Sequence, residues 1–220
     1  MKTIRTNSPV AGQRWAVFAL AAAGLLGGAS AVSAASLKGQ VLGAGEPVAQ
    51  STVTLWAGSA GAPKQLAQAR TDAQGRFSLT VPGARQGTSL YLVAQGGQSA
   101  ANKAAGNNPA IGLITVLGSK APTTVTINEM TTIATVWTHN QFINGTAIQA
   151  QPLQLKIAAG NVPSFVNLAT GGWGGAIQDP LNSGQTPTMG NFATLASVLG
   201  ACVTQVRPDA CQTVFRAAQG

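Results

Sequence analysis

Between residues 37 and 127 the chain repeatedly alternates apolar and polar side chains over a short stretch and then breaks at glycine or proline. Seven stretches read this way: Leu37–Leu42, Val53–Ala57, Gln65–Thr71, Arg76–Val81, Ser89–Gln95, Gly112–Leu117 and Thr123–Ile127. A period of two belongs to a strand with one buried face, and many short strands at close spacing fold as sheet packed on sheet. The sharpest join is Thr71-Asp72-Ala73-Gln74-Gly75-Arg76-Phe77. Asp72 can bond its own backbone two residues on, and Gly75 can take the left-handed conformation, so a bulged hairpin is predicted there. Gln98 to Pro109 is small and polar and reads as a mobile loop.

At Asn128 the period changes. Asn128 is a good N-cap and Glu129 suits the positive end of a helix dipole. Met130, Ile133, Ala134 and Trp137 then recur at helical spacing, against the β-branched Thr131, Thr132, Thr135 and Val136. Further helical stretches are expected at Leu153–Ala159 and around Pro163–Leu168. Residues 171–190 read as an exposed Gly-rich loop. Asn191 is expected to cap a helix burying Phe192, Leu195, Leu199, Cys202 and Val203. Pro208 should open a last helix whose Cys211, Val214, Phe215 and Ala218 face it. The fold class is therefore α+β, strands first: a seven-stranded sandwich over 35–127, then a small helical domain over 128–220.

Residues 1–34 read as a signal peptide. Lys2, Arg5 and Arg14 precede an apolar run from Trp15 to Gly28, shorter than the roughly 20 residues of a bilayer span. Val32-Ser33-Ala34 fits the small-x-small rule, placing cleavage between Ala34 and Ala35; Ala29-Ser30-Ala31 fits it too. Export implies a secreted, periplasmic or cell-surface location, with no transmembrane segment in the mature chain. There the close pair Cys202 and Cys211 reads as one disulfide.

After the leader, ten basic and five acidic residues remain, a net charge of +5. The cations are scattered, which argues against nucleic-acid binding. His139 is the only imidazole and reads as a surface residue beyond a helix end. The acids Glu46, Asp72, Glu129, Asp179 and Asp209 form no motif for a catalytic pair or a metal. No catalytic, cofactor or metal residues are assigned, and an enzyme is not expected. Asn144-Gly145-Thr146 fits a glycosylation sequon and is taken as chance. Trp173, set among Gly171, Gly172, Gly174 and Gly175, is the candidate ligand contact, as a stacking platform or as a plug over the helical core. Trp56 and Trp137 read as core or interdomain contacts.

Gly39-Gln40-Val41, Pro47 through Leu55 and Thr71 through Phe77 together resemble a carboxypeptidase regulatory-like domain. That family implies a prealbumin/Ig-like sandwich and recurs in exported and cell-surface proteins. Nothing resembles its zinc peptidase, since one histidine cannot supply the ligands. Asn128–Ala134 and Asn191–Val203 are similar to segments of exported bacterial proteins in which such a sandwich precedes a helical region with a Cys pair. A further resemblance, to collagen-adhesin B-type sandwiches, implies an isopeptide bond between Lys38 and Asn128, assisted by Glu46 or Asp72. The expected function is a non-enzymatic structural or adhesive module binding protein or glycan at the envelope. The alternative is a carbohydrate-binding accessory module of a larger exported protein.

Overall fold

The computed structural model describes residues 35–82 and 86–219. The expected leader, with Ala34, lies outside the described residues, while Ala35 begins the first strand. Nine strands follow: β1 (Ala35–Gly43), β2 (Glu46–Ala49), β3 (Thr52–Gly58), β4 (Lys64–Arg70), β5 (Arg76–Val81), β6 (Ser89–Gln95), β7 (Gln98–Ser99), β8 (Gly112–Gly118) and β9 (Thr124–Ile127). All seven expected strands form within a residue or two of their expected bounds. The short β2 and β7 are additional, so the two sheets hold five and four strands rather than seven in all.

In the five-stranded sheet, β1 pairs antiparallel with β5 and β2 and parallel with β9, and β2 carries β7. The other sheet is wholly antiparallel, in the order β4-β3-β6-β8. Leu37, Val41, Leu55, Leu79, Leu92 and Val125 meet between the sheets.

The Thr71–Phe77 turn has its expected chemistry. Asp72 Oδ1 accepts from Gln74 N at 2.9 Å and Arg76 N at 2.8 Å, and Gly75 has φ +70°. Its role differs from the expected hairpin. β4 pairs with β3 and β5 with β1, so the turn carries the chain from one sheet to the other. Local side-chain chemistry sets a turn but does not choose the strands' partners.

Burial along the strands reveals a third layer. β5 alternates cleanly, since one face of its sheet meets solvent. β6 is buried from Ser89 to Ala94, because Leu90 and Leu92 face the sandwich while Tyr91 and Val93 face the helices. The helical layer comprises α1 (Glu129–His139), α2 (Pro152–Phe165), α3 (Gly175–Gln178), α4 (Pro180–Ser183), α5 (Thr188–Thr204) and α6 (Ala210–Gln219). Between α1 and α2 lies a small hairpin, β10 (Ile143–Asn144) and β11 (Ala147–Ile148). It turns through Asn144-Gly145, and the Tyr91 hydroxyl accepts from Ile148 N. Strands and helices form one compact unit, and the boundary expected at 127/128 falls inside it.

α1 forms as its cap predicts. Thr131 N donates to Asn128 Oδ1 and Asn128 N donates to Thr131 Oγ1, both at 2.9 Å. Its threonines explain themselves: β8 is an edge strand, and Ile114 N donates to Thr132 Oγ1 at 3.1 Å and Val116 N to Thr135 Oγ1 at 3.0 Å. Residues that weaken a free helix thus supply the partners that an open sheet edge lacks.

Several expectations are corrected. The two stretches expected within 153–168 are one helix, α2. Residues 171–190 contain α3 and α4 and bury Ile177. α5 starts at Thr188, before the expected cap Asn191, and buries Phe192, Ala196, Gly200 and Val203 while Leu195 is exposed. On α6 only Ala210 and Cys211 are buried, and Phe215 faces solvent. The loop from Gln98 to Pro109 is folded as β7 and a 3-10 turn at Ala100–Ala105. Its Asn108 Nδ2 donates to Cys202 O at 2.9 Å and Asn102 Nδ2 to Gln205 O at 2.8 Å, satisfying carbonyls at the end of α5. The Cys202–Cys211 disulfide joins α5 to α6 as expected, with Cα atoms 4.4 Å apart.

Candidate functional site

The N-terminus of α1, the β1–β2 turn and one side of α5 enclose a cleft of about 550 Å³. Its floor holds a carboxylate, because the cap at Asn128 starts the helix where its first residue, Glu129, must point under the Ala44-Gly45 turn. Glu129 is only 5% exposed, and its Oε1 accepts from Ala44 N at 2.7 Å. Burial pushes the carboxyl above its ordinary range, and the Ala44 N–H pulls it back in part.

The α5 wall is built from small residues: Ala193, Ala196, Ser197, Gly200 and Thr204. Gly200 lets the carboxylate lie close, since a Cβ there would be a tight 3.3 Å from Glu129 Oε1. Trp173 also lines the cleft. It is half-buried, with its ring centroid 5.5 Å from that of Phe192, and so both lines the cleft and closes the helical core. Phe192 also stacks on Phe165 at 5.9 Å and meets Trp137 at 6.3 Å. Asn128 contributes little free capacity, because its Nδ2 donates to Gly171 O at 3.0 Å and its Oδ1 caps α1.

The cleft thus offers an aromatic wall, a buried acceptor and mostly apolar small-residue surface. Sequence reasoning identified Trp173 but gave Glu129 only a helix-start role. The missed signal was an acid placed immediately after a cap that the fold buries.

The other candidates lie apart from it. Asp72 is spent on its turn, and Asp179 caps α4 by accepting from Leu181 N at 2.9 Å. Asp209 pairs with Arg207 at 3.5 Å. Among the described residues no three His, Cys, Asp or Glu side chains come together. His139 is not the surface residue expected but is fully buried at the end of α1. Its Nδ1 lies 2.7 Å from Thr138 Oγ1, whose own hydrogen goes to Ala134 O, so the ring is assigned as the Nδ1–H tautomer. Nε2 has no partner among the described residues, and burial lowers the pKa to about 4. Lys38 is exposed and Asn128 is committed to its cap, which removes the isopeptide pairing. Trp56 is partly buried in the core shared by sheet and helices, while Trp137 is 41% exposed.

No helix among the described residues is long and apolar enough to cross a membrane. Neither family models nor curated proteins yield a match to the chain. Among solved structures, a 9R-lipoxygenase from Cyanothece PCC8801 is 18% identical over 42% of this chain, at a TM-score of 0.30. The match spans 15% of that enzyme's chain, and a likeness so slight supports nothing about fold or activity.

Proposed function

We propose that this is an exported, non-enzymatic binding module that takes a short glycan or peptide segment of the cell envelope in the α1–α5 cleft. The observation that carries the reading is the buried Glu129 acceptor facing a cleft with Trp173 in its wall. An aromatic face with a fixed acceptor nearby is a common way to orient a sugar or a peptide edge. The disulfide suits an oxidising compartment, and the apolar run with its small-residue cleavage signal supports export. The sandwich is proposed to be of the prealbumin-like, carboxypeptidase regulatory-like type, supported by its two-sheet layout and the Thr71–Phe77 turn.

The Trp173–Glu129 pair also favours the carbohydrate-binding accessory reading, since sugars present both an apolar face and hydroxyl donors. Pull-down on envelope glycans and on envelope protein, with Trp173→Ala and the cleft-filling Ser197→Trp, tests both. Ser197 is exposed, so its replacement leaves the core intact. Binding to glycan that both variants lose supports the accessory reading, and loss on protein alone supports the adhesive one. Undiminished binding by both variants overturns the cleft.

A further inference from the structure

A second cavity, separate from the Glu129 cleft, lies where the starts of α2 and β6 meet the end of β8. It measures about 550 Å³ and is lined by Ser89, Leu117, Lys120, Leu153 and Lys156, with no acid among the described residues of its walls. Both lysines are exposed and neither has an ion-pair partner, the one ion pair among the described residues being Arg207–Asp209. Ser89 is 3% exposed and its Oγ has no hydrogen-bond partner among the described residues. A buried hydroxyl without a partner is destabilising, and an oxyanion reaching it would relieve that cost.

The surrounding surface says what carries that oxyanion. Leu153 is 67% exposed and Ile157 59% exposed, and they stand on α2 at helical spacing with Lys156. The opposite face of α2 buries Leu155, Ala158 and Val162. Exposed leucine and isoleucine beside unpaired cations suit an interface where acyl chains meet phosphate headgroups, whereas a free anion would leave them in water. We infer that this end of α2 docks on an anionic lipid surface, with a headgroup phosphate held by Lys120, Lys156 and Ser89.

The test is co-sedimentation of the full chain with vesicles of phosphatidylcholine alone or mixed with an anionic phospholipid, at about 0.1 M salt. Wild type and variants are compared in the same form, which cancels any contribution from the apolar run at residues 15–28. Binding should require the anionic lipid. Lys120→Gln with Lys156→Gln should weaken it about thirty-fold, and Leu153→Gln with Ile157→Gln about tenfold or more. Ser89→Ala should weaken it a few-fold, while Lys38→Gln, on the other sheet, with Lys103→Gln leaves it unchanged. Equal loss from that distant pair would reduce the effect to net charge and overturn the site. So would absence of anionic-vesicle binding. Inorganic phosphate that competes at millimolar concentration, with no effect of Leu153→Gln and Ile157→Gln, would overturn the lipid assignment in favour of a free oxyanion.

Discussion

His139 should make the protein weaken measurably in mild acid. The ring is fully buried, its Nδ1–H is committed to the Thr138 side of its own helix, and protonation would put a second N–H where no acceptor waits. The unfolded chain binds this proton below about pH 6.5, the folded chain only below about 4. Between those values the unfolded state holds more protons, so stability falls as pH falls, beginning near 6.5 and saturating near 4. At 1.36 kcal/mol per unit the full loss is about 3 kcal/mol. Glu129 works in the opposite sense, since its raised pKa favours the protonated folded form and its contribution improves on acidification. A single pH titration would mix the two, so wild type and His139→Gln are compared by urea unfolding from pH 7.5 to 4. The stability difference between them should move by about 3 kcal/mol across that range, against the wild type. Parallel curves would refute the buried, unpartnered imidazole.

Other outcomes follow from named contacts. Thr132→Val with Thr135→Val leaves the Ile114 and Val116 N–H groups without partners, at about 1–3 kcal/mol each, and amide exchange at those two residues should accelerate more than at Leu92 in the central β6. Reducing the Cys202–Cys211 bridge releases a loop of sequence separation 9 and should lower stability by roughly 2–3 kcal/mol in urea. Glu129→Gln keeps an acceptor for Ala44 N while removing a buried charge, so it should unfold at higher urea than wild type at pH 7.5 and lose that advantage on acidification. Gly75→Ala forces φ +70° on a residue whose Cβ would lie 2.5 Å from Val41 O, and should lower the melting temperature by several degrees through about 1–3 kcal/mol of strain.

What the sequence revealed divides along a physical line. Strand positions and the Asn128 and Asp72 motifs were legible, because alternation and side-chain capping are local. Partner choice was not, and the 71–77 turn looks the same whether it joins paired strands or crosses between sheets. The helical layer was written in β6, whose unbroken Leu90-Tyr91-Leu92-Val93-Ala94 run marks a strand covered on both faces. The threonines of α1 counted against a helix until β8 showed what they bond. Asn144-Gly145 was a hairpin signal in its own right, passed over as a sequon. His139 and Glu129 were undervalued because burial of a lone ionisable group depends on packing from distant residues. In the candidate site, Trp173 was found from its glycine setting and Glu129 only from its depth.

The most direct measurement is a two-dimensional NMR titration of the isotopically labelled protein with oligosaccharides and peptides of the envelope. The account predicts saturable shifts gathered at Gly45, Glu129, Trp173, Ser197 and Gly200, lost in Ser197→Trp. Shifts gathered on the solvent face of β1 and β5, with these five residues unmoved, would contradict it.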